Sequence, residues 1–145
     1  MRLPVGIALP LCLMALAGCG DSGKKDLARR ANAICRAAQQ RIDAVTSPAT
    51  VISQDQAPRF FRRLRAIADP ALDRLRALEP PAGLRDEWSA FIAAQQRYVK
   101  LIDALPREAE LASPHLESDL HRSDRLFQAT NTAADAVGAK ECGKE

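Results

Sequence analysis

An all-α fold, an antiparallel bundle of four helices in up-down-up-down order, is what the sequence predicts, on three observations. The 145-residue chain is 47% hydrophobic and 4% aromatic. It draws its apolar content from Ala and Leu rather than from the β-branched and aromatic side chains that fill a pleated sheet. Apolar residues recur at spacings of three and four in four separate stretches, the helical period. Proline-bearing segments divide these stretches at connections short enough to make consecutive helices antiparallel neighbours. The length suits one domain rather than two. The 21 Lys and Arg against 18 Asp and Glu leave a formal charge of +3, too small and too evenly spread for a nucleic-acid binder.

The first element is a signal peptide, residues 1–18. Arg2 gives a basic start, residues 3–17 carry no charge, and small residues precede Cys19, the order of an exported leader. Pro4 and Pro10 interrupt the apolar run, which is also short of the roughly 20 residues a spanning helix needs. Leu16-Ala17-Gly18-Cys19 resembles the lipobox of bacterial lipoproteins. The resemblance implies cleavage before Cys19 and a thioether from Cys19 to diacylglycerol. Acyl chains burying methylenes at about 0.8 kcal/mol each would then hold the protein on a lipid bilayer. The expected location is the outer face of the bacterial cytoplasmic membrane, or the outer membrane where there is one. Gly20 rather than Asp follows the cysteine, so the inner-membrane retention signal of enteric bacteria is absent at that position. Residues 19–26 are expected to form a flexible tether and residues 27–145 a single bundle domain.

Of the four cysteines, Cys12 leaves with the leader and Cys19 is taken by lipid. Cys35 and Cys142 remain as thiols in an oxidising compartment and are expected to pair. Neither belongs to a C-x-x-C pair or has a histidine spaced beside it, which argues against redox or zinc chemistry.

The first helix carries Leu27, Ala31, Ile34, Ala38, Ile42 and Val45 on one stripe and ends before Pro48. The second starts at Pro58 and carries Phe60, Phe61, Leu64, Ile67, Ala71, Leu75 and Leu78. Its stripe runs through Pro70, where a kink or brief break at Asp69 is expected. Glu79-Pro80-Pro81-Ala82-Gly83 ends it. The third has the strongest face, Leu84, Trp88, Phe91, Ile92, Gln95, Val99, Ile102 and Leu105, and is expected to stop at or near Pro106. Ser113-Pro114 caps a fourth, with Leu116, Leu120, Phe127, Ala133 and Val137 on its stripe and Gly138 at the left-handed terminating position. In this order the fourth helix ends where the first begins, and an extended tail after Gly138 reaches back to Cys35. Alanines at 31, 38, 133 and 134 would let those two helices approach closely.

Signals for chemistry dissolve on inspection. Gly18 to Lys24 has phosphate-loop spacing, but Lys25 stands where Ser or Thr belongs and no strand precedes it. Gly20-Asp21-Ser22-Gly23 matches a protease nucleophile segment, yet a bundle supplies it no His and Asp companions. His115 and His121, the only histidines, point in opposed directions on a helix. Pairing them with Asp119 or Glu117 gives only two-ligand sites, so neither metal nor cofactor is expected. Trp88, Phe91 and Tyr98 read as core. Ala-Ala-Gln-Gln-Arg occurs at 37–41 and again at 93–97, a short helical word with poorly matching flanks. Gln95 falls on the apolar stripe, where an unpartnered amide costs about 1–3 kcal/mol.

Arg59, Arg62 and Arg63 on the second helix are the candidates for contact with an anionic surface, lipid head groups or an acidic envelope polymer. A solvated helix face is the plainer reading. The whole pattern of lipobox, single cysteine in the first helix, proline-rich break and Gly-x-x-x-Cys ending resembles small helical lipoproteins of high-GC bacteria such as actinobacteria, a likeness that brings no activity with it. The expected function is a non-enzymatic interaction or structural module at the cell envelope, meeting an envelope protein or anionic polymer. The alternative is a carrier holding an apolar ligand, a lipid or isoprenoid, between its helices.

Overall fold

The computed structural model describes residues 19–46, 53, 55–110 and 116–144. The expected signal peptide with Cys12, the Ser113-Pro114 start and His115 lie outside the described residues. Four helices form: α1 Cys19–Asp43, α2 Ala57–Arg76, α3 Arg85–Glu110 and α4 Leu116–Val137. Turns of 3-10 helix follow at Ala82–Leu84 and Lys140–Gly143, and there is no strand among the described residues. The all-α class is as expected.

The start of α1 corrects the expectation of a flexible tether over residues 19–26, since the helix begins at Cys19. Asp21 lies in the first turn, where a carboxylate meets the positive end of the helix dipole. It accepts a hydrogen bond from Lys25 at 2.7 Å, a pair one turn apart, and that bond holds the Asp21 carboxyl below its ordinary range. The segment is also docked. A Cβ on Gly23 would stand 3.4 Å from Pro81 Cγ, and Lys24 donates to the Ala136 carbonyl at 3.4 Å.

Helix continues past two internal prolines without a break. Helix α2 runs on through Pro70, which is exposed. Beside it Arg65 donates to Asp69 at 3.0 Å and also pairs with Asp103 of α3. Pro58 sits near the helix start and is buried, as its fixed φ allows. Helix α3 continues through Pro106 to Glu110, because an internal proline removes one backbone hydrogen bond but ends a helix only if the next turn cannot form.

The main buried cluster gathers Leu27, Ala31 and Ile34 of α1 with Leu75 and Leu78 at the end of α2. Leu84, Trp88 and Phe91 join it from the start of α3, and Ala134, Val137 and Ala139 from the end of α4. Phe91 is 0% exposed, and its ring lies 5.2 Å from that of Trp88.

Helix α4 ends as its glycine predicts. Gly138 has φ +77°. Its N–H donates to Asp135 O at 3.1 Å and that of Ala139 to Ala134 O at 2.8 Å, the paired bonds of a Schellman ending. A Cβ at Gly138 would also come within 3.3 Å of the Ala28 methyl. Ala139, the apolar residue after the turn, is 0% exposed.

Candidate functional site

The cystine is formed. Cys35 and Cys142 are bonded with S–S 2.04 Å and Cα atoms 4.9 Å apart. The tail that brings Cys142 there is a 3-10 turn rather than the extended segment expected, because Asn32 pins it from both sides. Asn32 Nδ2 donates to Gly138 O at 3.1 Å, and the Glu141 N–H donates to Asn32 Oδ1 at 2.8 Å. Contacts climb α1 in step, from Lys24 with Ala136 through Asn32 with Glu141 to Cys35 with Cys142. The turn fits because Gly143 has no side chain: a Cβ there would sit 2.9 Å from Asn131 Oδ1.

Over its length α1 packs chiefly on α2 and the C-terminal turn rather than along α4. The expected close approach of the two alanine faces is thus confined to one end, where Ala31 and Ala134 share the buried cluster. Further along, Ala38 lines a cleft instead.

That cleft has a volume of about 280 Å³ and touches all four helices. Ala38 and Ile42 line it from α1, Leu64, Ala68 and Ala71 from α2, Val99 and Ile102 from α3, and Phe127 from α4. The cystine and Glu141 and Lys144 of the tail border it. The small residues of α1 and α2 leave space that bulkier side chains on the same stripes would fill.

Polar groups enter the cleft at few places. Tyr98 lines it with its ring 5.8 Å from that of Phe127. Burial raises its hydroxyl above the ordinary range, a hydrogen bond with Ser123 opposes this, and the charge of Asp124 adds to the rise. Gln39 and Gln95 line it from α1 and α3, and they occupy the same place in the repeated Ala-Ala-Gln-Gln-Arg word. Gln39 donates to Asp43 at 2.8 Å, whereas the Gln95 amide makes no hydrogen bond among the described residues. At the rim Lys144 donates to Glu141 at 2.6 Å, and Arg36 stands 3.8 Å from the same carboxylate. These cations, Lys144 foremost, hold Glu141 below its usual range.

The other sequence candidates are not drawn together. Arg59, Arg62 and Arg63 are exposed on α2, and none of them lines the cleft. Cys19 is the first residue of α1. His121 is exposed, and the side chain of Glu117 lies outside the described residues. No group of three or more His, Cys, Asp and Glu able to hold a metal occurs among the described residues. Nor is any helix among them long and apolar enough to cross a membrane. A larger depression of about 490 Å³ beside Trp88 is an open groove edged by Arg76 and Arg85 and encloses nothing.

Asn32 was not singled out by sequence, although an Asn within a helix, where its propensity is poor, is the signal that marks it. Four helices and a cystine-held tail border an apolar cleft, in a small helical protein. No protein-family model, curated protein or solved structure matches the chain.

Proposed function

We propose that this protein is a cell-envelope lipoprotein, held on a bilayer through acylated Cys19, and that its helical domain is a non-enzymatic module that takes a small apolar ligand among its helices. The observation that carries this reading is the cleft. Its volume of about 280 Å³ is close to the lower end of ligand sites, roughly 300 Å³, and its walls are mainly apolar with a few convergent polar groups, the usual make-up of such sites. The reading takes the helices in up-down-up-down order with α2 bent at Pro70. The order is supported by the buried cluster that gathers Leu27 and Ala31 of α1 and Leu84 and Trp88 of α3 with Leu75 of α2 and Val137 of α4.

A titration of the unreduced, mature protein with 1-aminoanthracene, an uncharged apolar fluorophore, tests the reading. Saturable binding of one molecule per chain is expected, and Ala68→Phe, which places a ring in the cleft, is expected to abolish it. A folded wild type that shows no saturable binding refutes the ligand reading. It leaves docking of an anionic envelope polymer on exposed Arg59, Arg62 and Arg63 as the alternative.

The anchor has its own test. Mass spectrometry of the mature protein is expected to find a diacylglycerol adduct on Cys19. Cys19→Ser is expected to move the protein from the membrane fraction to the soluble one, while Cys12→Ser changes nothing after processing. A mature chain that still begins at Met1 excludes lipidation.

A further inference from the structure

Resting on the ligand reading, we propose that the cleft selects an uncharged ligand, an apolar body bearing one neutral hydrogen-bonding group that the Gln95 amide receives. Charge is the first observation. Among the described residues the only ionisable side chains of formal charge lining the cleft are Glu141 and Lys144, and these two satisfy each other at 2.6 Å. Arg36, outside the lining, also faces Glu141 at 3.8 Å. A carboxylate or phosphate head entering here would lose its hydration without meeting an unpaired cation, and burying a charge that way is strongly unfavourable. An ammonium head fares no better, because Glu141 already has its partners.

The polar groups that do face the cleft are neutral, and their states differ. Tyr98 is engaged with Ser123, and the Gln39 nitrogen with Asp43. Thr46 lines the far end and donates to the Ile42 carbonyl at 3.0 Å. Gln95 alone among them offers both amide donor and acceptor with no bond to the described residues. It is half-buried, one turn before Val99 and Tyr98 on the same inner face of α3. A ligand that displaces solvent from this amide must replace those hydrogen bonds or leave a polar group unsatisfied. An alcohol, ketone or ester oxygen on an apolar body does so, and a plain hydrocarbon does not. Gln95 is thus the specificity-determining residue of the cleft.

Competition against 1-aminoanthracene with 1-decanol and with decanoate, at a pH where decanoate is ionised, tests this on the unreduced protein. Decanol is expected to compete at least about tenfold more tightly than decanoate, a preference worth one hydrogen bond or more. Gln95→Leu is expected to weaken decanol by about five- to tenfold while 1-aminoanthracene binding persists. Lys144→Gln is expected to leave decanoate unchanged. Decanoate binding as tightly as decanol, or weakening on Lys144→Gln, overturns the proposal in favour of an anionic ligand. Decanol binding that Gln95→Leu leaves intact overturns the role of Gln95 while the cleft remains a ligand site. If the fluorophore itself does not bind, both readings fall together.

Discussion

Reduction of the Cys35–Cys142 cystine is expected to destabilise the domain by about 4–5 kcal/mol, the value the chain-entropy model gives for a closed loop of roughly 100 residues. The bond spans a sequence separation of 107, so it restricts nearly the whole described chain in the unfolded state. Small domains have total stabilities of about 5–15 kcal/mol, so the loss is a large share of the whole. In urea, where small proteins lose about 1–3 kcal/mol per molar, the midpoint should fall by more than about 1 M. Cys35→Ala with Cys142→Ala should match the reduced protein and keep a helical spectrum, because the buried cluster uses neither sulfur as its centre. Midpoints within half a molar of each other would mean that the reduced tail stays clamped, through Asn32 and Glu141, with the loop already closed without the bond.

Phe91→Ala is expected to cost about 3–5 kcal/mol. The ring is 0% exposed, lies against Trp88 and belongs to the cluster where all four helices converge. Removing it leaves a void at the point where residues of all four helices meet. The neighbouring indole gives a readout: Trp88 is buried at 4% exposure, and its emission in the variant should shift to the red in the native baseline. Phe60→Ala is the control, since Phe60 is half-buried and packs edge-to-face on Phe61, and its cost should be less than half as large. Equal costs would show that the convergence of the helices does not set the stability.

The apolar stripes made the four helices legible, because a helix that packs on others must repeat its buried residues with its own period. Gly138 was legible for a different reason, the left-handed backbone that only glycine adopts freely. The cystine followed by elimination among the cysteines. Helix ends were less legible. Gly20, Ser22 and Gly23 look like a linker, and only the docking of Gly23 on Pro81 and of Lys24 on Ala136 explains why they are helical. These are partners far away in sequence. Pro106 misleads in the opposite sense, since a proline states which hydrogen bond is lost and not whether the next turn survives. The cleft was the least legible feature. Ala31 and Ala38 are identical letters on one stripe, yet one is sealed in the core and the other borders a space. Which of the two an alanine produces depends on whether a neighbouring helix moves in to meet it, and here the tail props α1 at one end only.

The same tail fixes how the molecule bears load. A pull between the start of α1 and Lys144 travels along residues 19–35, crosses the sulfur bridge and leaves through the last residues of the chain. Everything between Cys35 and Cys142, including most of the cleft wall, sits in a covalent ring outside the line of tension. At about 3.3 Å per extended residue, the ring withholds on the order of 350 Å of contour from any stretching of the oxidised chain. In single-molecule extension the oxidised protein should therefore yield only a short length increment, and the long one should emerge after reduction.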